Sequence, residues 1–462
     1  MTTKTNTHTD LKQLAMDVME RAKKLGATDA ESVAYEGDEF SVKVRLGHVE
    51  TLTQSGSRAI GLRVFNGQRT ATTSTSDLSE EGIARLLNGA IELAKIAEED
   101  PFAGLPDAGA FSHKRTSEGM GLFFEDVYSL PPEDRIDLAR RAEAAAMSAD
   151  VRIQNSDGGT FDAATSYKVM ANSRGFVGEY RKSYCGIAAM PIAQDASGMQ
   201  RDYWSSSART LRKLDSPEAV GKEAARRAVR RLGAKRVKTQ RATIVFPPEI
   251  ARSLIGNIFD AANGDAIYRH ATFFEGKLGQ QVANENISVI DDGTMMLEPG
   301  LAGFGTLPFD GDGLPMQRTT IIDRGILSSY VLNTYTARKL NMHSTGNASR
   351  GLAGASGIGS GNFYLQPGTQ SPDEIIGDVK SGLYVIETLG SGVNLVTGDY
   401  SQGASGLWIE NGEFTGAVEE ITIAGNLKDI YRNIVAIGSD LIWRGSAAVP
   451  TIRVEGMTIA GE

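Results

Sequence analysis

One cysteine, Cys185, stands in the 462 residues, so no disulfide can form within the chain. That excludes a disulfide-stapled secreted scaffold and makes the cytoplasm the expected compartment. Cys185 itself sits in a strand-like run and reads as a small core residue. Histidines are few: His8, His48, His113, His270 and His343. None pairs with another at metal-ligand spacing, although His270 and His343 flank one region and could meet in space. No apolar run reaches the roughly 18 residues of a membrane span, and Met1–Asp10 is too polar for a signal peptide. No membrane partner is therefore expected. Cationic charge is in deficit as well, 48 Lys and Arg against 57 Asp and Glu, and the net charge of −9 argues against general nucleic-acid affinity. Nucleotide loops are missing, because Gly303–Gly305 and Gly359–Gly361 do not continue into G-x-G-x-x-G between a strand and a helix. The fragments Gly354-Ala355-Ser356-Gly357 and Gly403-Ala404-Ser405-Gly406 lack glycine two places after the serine, so a serine nucleophile is not indicated.

What is present is an ordinary globular composition, 41% hydrophobic and 23% charged, with 52 glycines that crowd the part after Gly293. Residues 1–9 read as a disordered tail. Asp10 could cap a helix with the stripe Leu11, Leu14, Ala15, Val18, Met19 and Ala22, ended by Gly26. Short strands follow at Glu31–Tyr35, Phe40–Leu46, Val49–Ser55, Ala59–Phe65 and Gln68–Ser74, with a hairpin at Asn66-Gly67. A helix from about Ser79 stops before Pro101. After a long connection over 101–130, the order of helix (from Pro131) and strands (to Trp204) repeats, which suggests an old duplication. Ser216-Pro217-Glu218 starts another helix. The expected organisation is α+β: a first domain over 10–105, a second segment over 106–239, both of helices and antiparallel strands, and a β-rich domain over 240–462.

The richest stretch is Phe274–Leu327. Ile287–Ile290 is β-branched and apolar and stops at Asp291-Asp292-Gly293; Thr319–Ile322 stops at Asp323-Arg324-Gly325 and resumes at Ile326-Leu327. Both stops read as hairpin signals, separated by a glycine-rich excursion over Pro299–Pro315. Later hairpins are expected at Asn411-Gly412 and around Gly425-Asn426.

The pieces F-E-G-K-L-G (Phe274–Gly279), D-D-G-T-M (Asp291–Met295), P-F-D-G-D-G (Pro308–Gly313), Q-R-T (Gln317–Thr319), T-G-N (Thr345–Asn347) and V-K-S-G-L-Y (Val379–Tyr384) resemble, in this order, the TldD/PmbA family, also called modulator of DNA gyrase. The resemblance implies a family of zinc metalloproteases. In their catalytic TldD-type chain, H-E-x-x-x-H lies on a helix shortly before the F-x-G-x-x-G piece. Laid without gaps, Ile255, Gly256 and Asp260 take the places of His, Glu and His. The third ligand, a Cys in a loop near the C-terminus, has no counterpart in Trp443–Val449. Zinc needs imidazole or thiolate donors and a base for its water, which these residues do not supply. The chain thus resembles the PmbA/TldE-type subunit. The resemblance then implies no cofactor in this chain, zinc in a TldD-type partner, a homodimer when alone, and unfolded peptides as substrate. Two alternatives stay open: a regulator of DNA gyrase or of toxin–antitoxin control without protease activity, and a self-sufficient metallopeptidase with an unfamiliar site.

Three features bear on binding. The basic run of Lys222, Arg226, Arg227, Arg230, Arg231, Lys235, Arg236, Lys238 and Arg241 reads as a solvated helix face rather than a nucleic-acid patch, since no aromatics interleave. Asp310-Gly311-Asp312-Gly313 reads as a turn, not a calcium loop. The small-residue loops Ser344–Asn362 and Leu389–Gly406 are candidates for backbone approach to an extended peptide. The positions singled out there are Gly354, Ser356, Gly359, Gly390, Gly392, Ser401 and Ser405. A bare sheet edge among the C-terminal strands would invite a paired subunit.

Overall fold

The computed structural model describes residues 7–111 and 117–462. The first stripe winds into α1 (Thr7–Lys24), burying Leu11, Ala15, Val18 and Ala22, and Gly26, at φ 102°, ends it. The helix is already running at Thr7, so Asp10 lies within its first turn. Residues 1–6 of the expected tail, and His113, lie outside the described residues. The four strands expected between 31 and 65 are two long ones, β1 (Asp29–Arg45) and β2 (His48–Asn66). They turn through Leu46-Gly47, both at positive φ (49° and 80°), a mirror-type turn that suits twisted strands. Then come β3 (Arg69–Thr75) and α2 (Glu80–Ile96), whose cap Ser79 accepts from the Gly82 N–H. The connection carries α3 (Glu125–Ser129). Beyond it, α4 (Pro132–Ser148), β4 (Ile153–Asn172), β5 (Val177–Asp195), β6 (Gly198–Arg201), β7 (Trp204–Ala208) and α5 (Pro217–Val229) repeat the order of helix, long antiparallel pair, short strand and helix.

The two units meet where β1 and β4 pair antiparallel, giving one sheet in the order β3-β2-β1-β4-β5-β6, with β7 also on β5. Strand alternation sorts its faces. Ala30, Ala34, Phe40, Val42 and Val44 of β1 pack with the helices, α1 and α2 over one half and α4 and α5 over the other. Glu31 and Val33 face the other way. Cys185 is buried among these helices' contacts, and burial pushes its thiol up to about 12.

The second half contains β8 (Gln240–Phe246), α6 (Pro248–Ala261), α7 (Gly264–Tyr268), β9 (Val289–Asp292), β10 (Met296–Glu298), β11 (Leu301–Ala302), β12 (Arg318–Asp323), β13 (Ile326–Leu327), α8 (Thr334–Lys339), β14 (Ala348–Ser349), β15 (Gly357–Ile358), β16 (Asn362–Leu365) and α9 (Pro372–Gly377). It ends with β17 (Ser381–Val393), β18 (Asp399–Glu410), β19 (Glu413–Asn426), α10 (Leu427–Arg432), β20 (Ile434–Ile437), β21 (Ala447–Ala448) and β22 (Ile452–Ala460). Strands run β19-β18-β17-β8-β22, and β22 pairs back on β19 through Thr422–Ala424, so this sheet closes on itself, with β20 outside β22. The fold is α+β.

Several expectations change here. Asp291-Asp292-Gly293 ends β9 without a hairpin; the neighbours of β9 are β12 and β16. The true hairpins are Arg324-Gly325 (φ 44° and 79°) and Asn411-Gly412 (φ 49° and 82°). Gly425-Asn426 is no turn, because Asn426 caps α10 by accepting from the Lys428 N–H. Leu389–Gly406 is not a loop but the β17–β18 hairpin. Of the C-terminal strands, expected to leave an edge bare, β19, β18, β17, β8 and β22 are paired by closure, while the sheet β13-β12-β9-β16-β21 stays open.

The excursion between β9 and β12 packs on the helix-free face of the first sheet. Val33 and Met170 meet Phe309 and Leu314 there, and Phe176 stacks edge-on against Phe309 at 5.1 Å. Gly61 lets the β14–β15 loop approach the same face: a Cβ there would sit 1.8 Å from the Leu352 carbonyl oxygen. Glu31, fully buried, pairs with both Arg63 and Arg350, which come from β2 and from the β14–β15 loop. Asp310 joins them as a buried turn, accepting from the N–H groups of Asp312, Leu314 and Ala348, and burial raises its carboxyl well above the usual range. Lys168 of β4 donates to the Arg350 carbonyl at 3.2 Å, and burial lowers its ammonium to about 8.

Most of the basic run is solvated, as expected: Lys222, Arg226, Lys235, Arg236, Lys238 and Arg241 are exposed, and Arg227, Arg230 and Arg231 turn inward. Arg227 is 7% exposed, 3.5 Å from Asp202 and over the Trp204 ring. Arg226 pairs with Glu223, Arg231 with Glu387 and Arg236 with Glu420, so the run neutralises acids of both halves.

Candidate functional site

The helix that matters is α6. Pro248 opens it at the first helical position, and Ala251, Leu254, Ile255 and Ile258 bury its apolar stripe. Ile255 is 0% exposed and belongs to the core shared with β8, β9 and β17. Gly256 is half-buried and offers no side chain; Asp260 is exposed. The Tyr431 hydroxyl donates to the Leu254 carbonyl at 3.3 Å and pins this turn. A zinc ion would meet an alkyl group, a bare backbone and one solvent-facing carboxylate. That set does not fit zinc. Among the described residues no three His, Cys, Asp or Glu side chains gather as a ligand set.

The 443–449 loop closes over the first turn of α6. Arg444 lies 3.8 Å above the Trp204 ring and donates to the Ser205 carbonyl of β7, while Arg252 of α6 donates to the Arg444 carbonyl at 3.0 Å. Trp443 meets Tyr364 edge-on at 5.7 Å. Between them and β5 lies a cavity of 410 Å³ walled by Tyr184, Trp204, Glu249, Arg252 and Arg444. Its lining mixes aromatic rings, three arginines and the carboxylates of Asp162 and Glu249, so it can hold a polar chain.

The other singled-out positions fall on two elements. Gly354 (φ 102°), Ser356 and Gly359 lie in and beside the β14–β15 loop; Ser356 alone of the set lines a cavity of 490 Å³ against β3 and α8. Gly390, Gly392, Ser401 and Ser405 lie in the β17–β18 hairpin, where Gly392 pairs with Ser401 and Ser405 with Glu387. His270 is exposed and engaged by Glu275 at 2.5 Å; His343 and His48 are exposed.

One feature went unread in the sequence. Along β2, residues 48–58 are all exposed, and β3 covers only Ile60–Asn66. Among the described residues no strand pairs with that outer edge. The signal was available: Val49–Ser57 (V-E-T-L-T-Q-S-G-S) is polar on both alternating faces, as a strand with neither face packed must be.

Models of the PmbA/TldA metallopeptidase match three consecutive parts of the chain: domain 1 over residues 30–94, the central domain over 125–232 and the C-terminal domain over 239–461. The chain belongs to the PmbA/TldD family. It is 36% identical to the metalloprotease PmbA of Escherichia coli, over 92% of this chain and 90% of that protein. It is 32% identical to a metalloprotease PmbA homolog of Haemophilus influenzae, over 98% and 96%. A crystal structure of a protein from Bacteroides thetaiotaomicron, described as a modulator of DNA gyrase, superposes with a TM-score of 0.89 at 25% identity over all of both chains. TldE from Thermococcus kodakarensis shares the fold, with a TM-score of 0.86 at 19% identity over 97% of this chain and all of that one. In this PmbA/TldD-family protein, then, a peptidase scaffold carries α6 without a metal set. No helix among the described residues is long and apolar enough to cross a membrane.

Proposed function

We propose that this chain is the non-catalytic, peptide-binding subunit of a two-chain TldD/TldE-type peptidase, with zinc carried by a TldD-type partner. The observation that carries the reading is α6: Ile255 is locked in the core, Gly256 is bare and Asp260 faces solvent, on the helix where the family's catalytic chains hold their metal. Donating a ligand from position 255 would mean rebuilding the core, so the site is replaced and not merely empty of one residue. The role left to the chain is to hold substrate and partner. The open length of β2 supports this, because an unpaired edge takes an extended chain through backbone hydrogen bonds, whatever its sequence. Folded proteins have no such free backbone, which restricts substrates to unfolded peptides. Without the partner, the same edge would pair two copies of the chain.

The test is to purify the chain with its TldD-type partner, separate the two without chelators and measure zinc in each. Zinc is expected only in the partner, and cleavage of an unfolded peptide only by the pair. One tightly held zinc in the present chain alone, with proteolysis lost on chelation, overturns the reading.

A further inference from the structure

A second strand edge of the first sheet is free, and it opens into the cavity of 410 Å³ beside α6. β7 pairs with β5 through Cys185–Ala189, and among the described residues no strand covers its other side. Backbone groups of successive residues point to alternate sides of a strand. The Ser206 carbonyl turns toward β5, 3.6 Å from where a Cβ on Gly186 would sit. Ser205 and Ser207 therefore turn outward; both are half-buried and both line the cavity. The Ser205 carbonyl accepts from Arg444. Among the described residues, the N–H groups of Ser205 and Ser207 and the Ser207 carbonyl have no partner. Arg444 thus sits where a neighbouring strand would donate. The segment that carries it is fastened at both ends. Asp440 accepts from the Thr451 N–H at 2.9 Å and from its hydroxyl at 2.7 Å, and the Ser446 carbonyl accepts from the Phe363 N–H at 2.9 Å. Residues 441–445 span the gap, with Gly445 at φ 82° and Ile442 45% exposed. Their hold on the first half is imperfect. The Nε–H of Arg444 is buried without an acceptor, and Arg227 brings a second cation to within 4.8 Å of the same Trp204 ring. Asp202 answers Arg227 at 3.5 Å, whereas no carboxylate among the described residues ion-pairs with Arg444.

We propose that residues 441–445 are a strap that caps β7, and that an extended acidic peptide displaces Arg444 and adds to the sheet beyond β7. Ser205 and Ser207 exchange backbone hydrogen bonds with it, as a strand edge does with an incoming chain. Charge decides the class of peptide. Arg227, Arg252 and Arg444 outnumber Asp162 and Glu249 on the cavity wall. Arg252, exposed on α6, donates to the Arg444 carbonyl at 3.0 Å and to no other acceptor among the described residues. When the strap lifts, that guanidinium is free to take a carboxylate. The inference goes beyond the subunit role and stands without it, since it needs neither zinc, nor a partner chain, nor the open length of β2.

The test is calorimetric titration of the full chain with a threonine–valine peptide as long as β7 and ending in glutamate, followed by hydrogen exchange at single amides. Saturable binding is expected, with the Ser205 and Ser207 amides slowed by the peptide. The same peptide ending in lysine amide is expected to bind about tenfold more weakly. Arg444→Ala, which removes the cap, is expected to bind the acidic peptide about tenfold more tightly. Should that variant fail to fold, Arg444→Lys, which keeps the charge and loses the planar stack, is expected to gain about threefold. Four results overturn the proposal. They are no saturable binding by parent or variant up to about 10 mM, equal affinity for the two peptides, unchanged or weaker binding by the folded variant, and slowed exchange along residues 48–58 with Ser205 and Ser207 unaffected. The last places the peptide on β2 instead and leaves the subunit role untouched.

Discussion

The two large sheets treat their edges in opposite ways. In the C-terminal half, β22 returns to β19, and the backbone polar groups of the strands between them are spent internally. In the N-terminal half, β1 and β2 outrun β3, and residues 48–58 keep one edge unpaired. A closed sheet makes a stiff frame but offers no strand position to another chain. An open one offers a position and risks nonspecific association. The open edge here is blunted by threonine, serine and glutamine, and only Val49 and Leu52 are sizeable apolar exposures on it. Under the proposed function, the division would put binding of extended chains on the first half and rigidity on the second.

That comparison would fail if the halves were independent bodies. Glu31 is where they are locked, since its carboxylate answers Arg63 of its own sheet and Arg350 of the other half. Replacing Glu31 with Gln keeps the shape and leaves two buried guanidinium groups facing a neutral amide. Breaking a buried pair in this way costs about 3–5 kcal/mol. Denaturant titration is expected to show one transition shifted by about that much. Two transitions, with only the first displaced, would show halves that unfold separately.

The seam was invisible in the sequence for a physical reason. Glu31 and Arg350 lie in segments whose local patterns read correctly as strand and loop, yet nothing in either records that they meet. Local chemistry was legible: Ser79, Gly26 and Asn411-Gly412 each behave as their backbone preferences require. Gly425-Asn426 misled because the same asparagine that favours turns also caps helices. The basic run reads as a solvated face and for most of its length is one; the inward turn of Arg227 and Arg231 was not legible, because Asp202 and Glu387, which neutralise them, come from other elements. That Ile255, Gly256 and Asp260 offer no imidazole or thiolate could be read directly, because it is a matter of residue identity alone. Edge and closure were not, because pairing of β22 with β19 is a long-range fact.

A smaller effect of opposite sign sharpens the same seam. Lys168, buried beside Arg350, gives up its proton at about 8 in the folded chain and near ~10.4 when unfolded. Between those values the unfolded chain holds more protons, so this group makes stability rise with pH from about 8 to about 10.4, and below 8 its burial is a steady cost. Lys168→Met removes the cost and also the bond to the Arg350 carbonyl. The net expectation is a gain of roughly 1–2 kcal/mol at pH 7. The difference between variant and parent should shrink as pH rises toward 10. A loss of stability at pH 7 would mean that the ammonium supports the seam.

The least effect on stability, and the most direct probe of the edge, is expected at Leu52. It is 46% exposed, pairs with Val42 across the hairpin and, among the described residues, has no strand on its other side. Leu52→Lys adds a charge where water already reaches, so the folded chain should change by no more than about 0.5 kcal/mol. Association is another matter. A strand added along residues 48–58 would have to bury or displace that ammonium, the device by which natural edges repel uninvited strands. The variant should melt with the parent yet lose affinity for a TldD-type chain, or for an unfolded peptide, by about tenfold or more. Ile423→Lys in the closed sheet is the counterpart: Ile423 is fully buried, and its loss should abolish folding and not selectively binding. If Leu52→Lys leaves both the partner and the peptide bound as before, the open length of β2 is merely a tolerated edge, and the binding surface must be sought on the closed half.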